Sequence, residues 1–213
     1  MITMKTLIIA ATRAEIAPLY KHFKLAEANF VQTPAFDLLI SGVGMTATAF
    51  ALGQRLNLSY NLVVNLGIAG CFDRSIPLGS VLNIIADEFS ELGAENGDGF
   101  LSIDELGFGR SRIPARVPAD TPFVAALKEV RGITVNSVHG RADSIAEVTN
   151  RLSPVTESME GAAVFYCCNE LSLPCIQIRS VSNYVEERNS SNWDIGLAIR
   201  NLNTWAIDYL TNR

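Results

Sequence analysis

Runs of consecutive apolar residues alternate along the chain with stretches whose apolar residues recur every three or four positions. The runs Thr6–Ala11, Phe36–Ser41, Asn61–Leu66, Ser80–Ala86, Ile133–Ser137 and Cys175–Ser180 predict strands. Several are apolar without alternation, the pattern of strands covered on both faces. Helical spacing predicts helices over Ala14–Phe23, Thr46–Asn57, Pro122–Val130, Ser144–Arg151, Glu160–Leu171 and Asn192–Leu210. Along the second and just past its end, Ala47, Phe50, Ala51 and Leu58 recur at helical spacing. Alternation of this kind predicts an α/β domain around a largely parallel sheet. No repeat, Pro/Ser-rich linker or compositional shift divides the chain, so residues 1–213 are expected to form one domain. Asp87–Pro118, with seven acidic residues, then Arg110, Arg112 and Arg116, and glycines throughout, reads as a long excursion from the sheet. A substrate lid, a subunit contact and a solvated loop are equal readings of it.

Composition narrows the class. A chain of 213 residues, 48% hydrophobic and 18% charged, can bury a core without disulfide or metal staples. Seventeen Lys+Arg against 22 Asp+Glu give a net charge of −5, and no basic block marks a nucleic-acid surface. Cys71, Cys167, Cys168 and Cys175 form no CxxC pair, and with only His22 and His139 the chain lacks zinc-ligand spacing. Reduced, mostly buried thiols are expected, with no metal. The opening Met1–Ala11 is too short an apolar stretch for a secretory core. The longest uncharged run, Leu38–Gln54, is interrupted by Ser41, Gly42 and Gly44 and is no membrane span. A soluble cytoplasmic protein is expected, without nucleic-acid or membrane partners.

Candidate chemistry gathers at strand ends. Gly42-Val-Gly44-Met-Thr-Ala47 has the form G-x-G-x-x-A between a strand and a helix, which suggests dinucleotide binding. That fingerprint wants an acid about 20 residues on for a ribose hydroxyl. None lies between Gly44 and Asp73. A noncatalytic dinucleotide-binding domain is therefore the alternative from another class. A second glycine site is Asn65-Leu-Gly67-Ile68-Ala69-Gly70, where small residues would let a ligand approach the backbone or would simply make a tight turn. Glu15 and Glu160 each stand at the start of a predicted helix, and Arg179 ends a strand among apolar residues. Helix-start glutamates are common dipole partners, while a charge in an apolar strand is costly unless paired or functional.

Taken in order, Glu15, Gly42-Val-Gly44, Asn65–Gly70, Ser158-Met159-Glu160-Gly-Ala-Ala and Ile178-Arg179-Ser-Val-Ser182-Asn183 resemble the purine nucleoside phosphorylase superfamily. Within it the likeness is to the nucleosidase branch, which includes methylthioadenosine/adenosylhomocysteine nucleosidases. It is closer to the nucleosidases that hydrolyse futalosine. That likeness rests on Glu91-Leu-Gly-Ala-Glu95, Gly97-Asp-Gly-Phe100, Glu157–Ala163, and Asn183 followed by Trp193-Asp194. The resemblance spans nearly the whole chain. It implies a three-layer α/β/α sandwich around a mixed, largely parallel sheet, and a homodimer or larger homo-oligomer. It also implies hydrolysis of a nucleoside without metal or organic cofactor.

The resemblance assigns roles residue by residue. Glu15 would activate the attacking water as general base. Arg179 would help hold that water. Met159 would pack on the ribose while the Glu160 carboxylate accepts from its hydroxyls. Gly67, Ile68, Ala69 and Gly70 would bring backbone close to the sugar, with Gly44, Ser158 and Ser182 also lining the substrate. Asn183 would face the purine's five-membered ring. Carboxylates near the sugar suit a reaction that passes through a sugar cation. In adenosine-type nucleosidases the position of Asn183 carries Asp, which can protonate the leaving base. An amide only donates and accepts hydrogen bonds, a pattern that suits an oxopurine and favours hypoxanthine over adenine.

Superfamily phosphorylases carry a Gly-Asp-Pro-type loop where this chain has Ala11-Thr-Arg13-Ala-Glu15, so hydrolysis is favoured, with Arg13 leaving a phosphorylase as an alternative. An adenosine-type nucleosidase is another. Phe89, Phe100 and Phe108 are the aromatic candidates for stacking on the purine. Arg110, Arg112, Arg141 and Arg188 are candidates for the benzoate that futalosine carries. His22 and His139 receive no role.

Overall fold

The computed structural model describes residues 5–118 and 121–212, so Met1–Met4 of the N-terminal stretch lie outside the described residues. The chain runs β1 (Lys5–Ala10), a 3-10 turn (Ala14–Ile16), α1 (Ala17–His22), β2 (Phe30–Gln32), β3 (Phe36–Ile40) and α2 (Met45–Arg55). The long β4 (Tyr60–Cys71) and β5 (Val81–Phe89) follow, then the hairpin β6 (Gly93–Asn96) and β7 (Gly99–Ser102). Next come β8 (Arg112–Pro114), α3 (Pro122–Ala125), β9 (Lys128–Thr134), α4 (Ala142–Leu152) and β10 (Thr156–Ser158). The last elements are α5 (Gly161–Glu170), β11 (Cys175–Tyr184), a second 3-10 turn (Ser190–Asn192) and α6 (Ile195–Asn212).

The main sheet has the order β10-β9-β5-β11-β4-β1-β3-β2, with β8 added antiparallel to β5. Pairings of β1 with β3 and β4, of β4 with β11, of β5 with β9 and of β9 with β10 are parallel. The end of β4 bends over to pair antiparallel with β10, Glu157 opposite Gly70, which closes the β10-β9-β5-β11-β4 half on itself. This closure sets the site, because it carries Glu157, Ser158 and the start of α5 across to the carboxyl end of β4.

Alternation along each strand divides the core. On β1, Leu7 and Ile9 join Leu52 of α2 and Val164 and Phe165 of α5, whereas Ile8 and Ala10 join Leu19 of α1 and Leu202 and Ala206 of α6. Helices thus cover both faces, which gives the expected three layers and explains why these strands read as unbroken apolar runs. Burial of each such Leu or Ile stabilises by roughly 1.5–3 kcal/mol. Among the described residues no helix is long and apolar enough to cross a membrane. All four cysteines are free, and Cys71, Cys168 and Cys175 are buried.

Four expectations are corrected. The helix predicted over Pro122–Val130 is one turn, Pro122–Ala125, because residues from Lys128 onward pair with β5 and Val130 is needed in the core. The strand expected at Ile133–Ser137 accordingly lies earlier, ending at Thr134. The supposed excursion starts late: Asp87–Phe89 belong to β5, and Arg112–Pro114 returns to pair with it, Ile113 opposite Asp87. What leaves the sheet is chiefly the β6–β7 hairpin and its flanks. The first predicted helix breaks into the 3-10 turn and α1, with Pro18 in the first turn of α1, where a missing amide costs little.

Candidate active site

The carboxyl ends of β1, β3, β4 and β11 converge on a cavity of about 370 Å³, the place where ligands sit in open α/β sheets. Glu15, just beyond β1, projects from the 3-10 turn into this cavity. Its Oε2 accepts from the backbone N–H and the hydroxyl of Thr12, at 3.0 and 2.9 Å. Its Oε1 accepts from the Ile68 amide of β4 at 3.2 Å. The turn itself is held by α6: buried Asn203 donates to the Glu15 carbonyl at 2.8 Å and accepts from Leu19 N–H at 3.1 Å. Both carboxylate oxygens are therefore aimed by backbone groups of fixed elements.

Arg179 stands directly opposite Gly67 on the neighbouring strand. It is 1% exposed, and a Cβ on Gly67 would overlap its Nη1 and come within 3.1 Å of both Arg179 Cζ and Glu15 Oε1. Gly67 is glycine because the guanidinium lies over it, alongside Glu15. Arg179 Nη2 is 3.9 Å from Glu160 Oε2, an ion pair without a direct hydrogen bond. Arg179 Nε and Nη2 and the Ser158 hydroxyl are buried without a protein partner, so they are donors that a polar ligand can satisfy.

Glu160 precedes α5 and accepts from the Gly44 amide at 2.9 Å. Gly44 adopts φ +93°, which L side chains rarely tolerate, so the Gly42–Gly44 loop is shaped to deliver an amide to this carboxylate. A carboxylate already occupies the place a dinucleotide phosphate would need. Burial pushes the Glu160 carboxyl above its ordinary range, and the charge of Glu15 adds to this; Arg179 and the Gly44 amide oppose it.

Asn183 stands opposite Gly70, just as Arg179 stands opposite Gly67. The two glycines are three residues apart and their partners four, because Ser182 is an extra residue in β11. Such a bulge re-aims the side chains beyond it. Asn183 Nδ2 donates to the Tyr184 carbonyl at 3.0 Å, and Oδ1 lies 2.8 Å from the Ser182 hydroxyl. One amide N–H and one lone pair of Asn183 remain for a ligand. The expected turn at Gly67–Gly70 is thus corrected: the segment is strand, and its glycines make room for side chains from β11.

Ile68, Ala69 and Gly70 line the cavity from β4, Ser158 from the end of β10 and Met159 from just after it. Ser182 and Asn183 line it from β11, with Glu15 and Glu160 completing the expected set. Gly44, Gly67 and Arg179 lie immediately behind, through the contacts just described. Phe89, Phe100 and Phe108 do not border it: Phe89 packs edge-on to Tyr166, Arg151 lies 4.3 Å over Phe100, and Phe108 is 81% exposed. They belong to β5 and the hairpin region, which the closure of the sheet turns elsewhere. Tyr184 and Trp193 are the aromatic residues that do line the cavity. Of the four candidate arginines only Arg188 reaches it, while Arg112 pairs with Glu88.

Several contributors were not visible in the pattern of residues. His139 lines the cavity with its Nδ1 against Glu157 Oε2, and its amide donates to Glu157 Oε1 at 3.0 Å. Eighteen residues separate the pair, so no spacing announces it. Beneath the site, Asn65 donates to Gln177 at 3.1 Å, and Gln177 donates to fully buried Asp87 at 2.7 Å. Thr134 donates to Asp87 at 2.8 Å and accepts from the Ala162 amide of α5 at 2.7 Å. A Cβ on Gly161 would overlap Asp87. This network fixes the start of α5, and with it Glu160. Burial outweighs the hydrogen bonds from Gln177 and Thr134 and pushes Asp87 up to about 6.

Residues 5–208 match the sequence profile of the phosphorylase superfamily. The chain is 35% identical to a futalosine hydrolase of Streptomyces coelicolor, over 77% of this chain and 74% of the relative. It is 32% identical to a futalosine hydrolase of Acidothermus cellulolyticus, over 94% and 88% of the two chains. The 5′-methylthioadenosine/S-adenosylhomocysteine nucleosidase of Helicobacter pylori superposes with a TM-score of 0.83 over 99% of both chains at 17% identity, which establishes the shared fold. With a profile match across nearly its whole length, the protein belongs to the phosphorylase superfamily.

Proposed function

We propose that the protein hydrolyses the N-glycosidic bond of futalosine, releasing hypoxanthine and the dehypoxanthinyl sugar product. The observation that carries this reading is one cavity with a backbone-aimed carboxylate, Glu15, and a carboxamide, Asn183, both reaching in. The futalosine hydrolases that the chain resembles support it. By the same relatives the chain is a nucleosidase-type hydrolase of N-glycosyl bonds.

In this mechanism the bond from the anomeric carbon to the purine nitrogen breaks, and its electron pair leaves with the base. Positive charge develops on the sugar between Glu15 and Glu160, where two carboxylates stabilise it. Glu160 accepts from the ribose hydroxyls, and Met159 packs on the ring. A water beside Glu15 and Arg179 attacks the anomeric carbon as Glu15 takes its proton. Asn183 donates to the departing oxopurine through its remaining N–H and accepts through Oδ1. It cannot transfer a proton, so the base is protonated from solvent.

Water is favoured over phosphate by where Arg13 points. Its Nη2 donates to Asn29 at 3.2 Å, its Nη1 is 3.7 Å from Glu27, and its guanidinium lies near the Tyr20 ring. It is engaged outside the cavity. Comparing futalosine with methylthioadenosine tests the substrate assignment: wild type should release hypoxanthine and little adenine, and Asn183→Asp should gain adenine release. Efficient adenine release by the wild type would return the protein to the adenosine-type nucleosidases.

A further inference from the structure

The cavity extends beyond the residues assigned to the sugar and the base, as far as Arg188, Trp193, Ile195 and Ile199. Asn203, Ile199 and Ile195 follow one another at intervals of four on α6, so they share a face. Asn203 holds the turn that carries Glu15, and Ile199 and Ile195 line the cavity beyond it. Eight helical residues span about 12 Å, so this apolar stripe runs about that far outward from the reacting carbon's side. It ends at Trp193, whose ring has the Arg188 guanidinium 5.1 Å above it. The loop is pinned there by the Arg188 amide on the Gly140 carbonyl, 3.4 Å, and by Asn192 on Glu186 at 3.0 Å.

Charge distinguishes this end from the rest. Of the lining carboxylates, Glu157 faces His139, Glu160 faces Arg179 and Glu186 pairs with Arg74, while Glu15 is held by amides. None of these carboxylates pairs with Arg188, and among the described residues the lining offers no other guanidinium. Among the described residues Arg188 has no carboxylate within ion-pair distance, and it is the guanidinium that lines the cavity, lying over the Trp193 ring. The geometry points to a tail subsite in which Ile199, Ile195 and Trp193 take a flat apolar substituent of the sugar and Arg188 binds the carboxylate at its end. This inference rests on the futalosine reading and deepens it: a benzoate at the far end of the substrate places its ring on Trp193 and its charge at Arg188. A small neutral sulfur substituent would leave both unused.

Titration calorimetry of the full chain carrying Glu15→Gln, so that ligand is not consumed, tests this with futalosine and its methyl ester. With Arg188 present the acid should bind about fivefold to tenfold more tightly than the ester, as expected for a guanidinium–carboxylate pair partly open to solvent. Arg188→Gln should abolish that preference, and Arg188→Lys should keep part of it. Trp193→Leu should weaken acid and ester alike. A preference unchanged by Arg188→Gln overturns the subsite even if the wild type releases hypoxanthine. A preference that vanishes, in a protein that releases no hypoxanthine, supports the subsite and overturns the hydrolysis instead. Failure of both ligands to bind overturns both.

Discussion

Replacing Gly67 with alanine is the most informative single methyl group to add. The new Cβ overlaps Arg179 Nη1 and comes within 3.1 Å of Arg179 Cζ and Glu15 Oε1. Ordinary contact between such atoms is about 3.5 Å, so Nη1 must withdraw by more than about 1 Å. Arg179 is 1% exposed, so it cannot swing into solvent, and its neighbours must give instead. Overpacking of this kind costs roughly 1–3 kcal/mol, or a fall in Tm of about 2–12 °C for a domain of this size. The catalytic cost is larger, because displacing a positioning group by about 1 Å can lower the rate roughly 100-fold. Calorimetry should therefore show a folded, modestly destabilised protein, and hypoxanthine release should show kcat reduced about 100-fold with a smaller change in KM. A variant with wild-type kcat would refute the placement of Arg179 over Gly67 beside the nucleophile.

Glu160 and Asp87 give pH signatures of different kinds. The Glu160 carboxyl must be ionised to accept from ribose, and burial raises it, so kcat/KM should fall on the acid side at a pH above the ordinary carboxylate range. Glu160→Gln should lose that limb together with most of the activity; a variant that keeps both would exclude Glu160 from the sugar site. Asp87, pushed up to about 6 from 3.8, is favoured in its protonated form by the fold. Its contribution is fully present below the unfolded-state value and is lost as pH rises through about 6, an effect of order 3 kcal/mol. The Tm of wild type relative to Asp87→Asn should thus rise as pH is lowered from 7 to 4. A difference independent of pH would show that Asp87 does not titrate in this range.

What was legible in the sequence was whatever one chain segment could express. Apolar runs covered on both faces gave away β1, β3, β4 and β11, and Glu15, Glu160 and Arg179 stood out as charges beside apolar strands. Cross-strand facts were hidden. Gly67 and Gly70 read as a turn, since nothing local says that Arg179 and Asn183 lie opposite them or that Ser182 makes the bulge that aligns them. Asp87 read as the head of an acidic loop, because its partners Gln177 and Thr134 lie 90 and 47 residues away. His139 was silent for the same reason: Glu157 meets it only after β10 closes onto β4. At Lys128–Val130 the helical spacing was real, but seven ladder positions with β5 outweighed it.

The central claim is that Glu15 activates water against the glycosidic bond of futalosine. The most direct test is chromatographic measurement of free hypoxanthine from purified protein and futalosine in phosphate-free buffer, with Glu15→Gln alongside. The account predicts steady release by the wild type at a rate that added phosphate leaves unchanged, and a loss of about 100-fold or more in the variant. Release that requires phosphate, equal release by Glu15→Gln, or no hypoxanthine at all would contradict it.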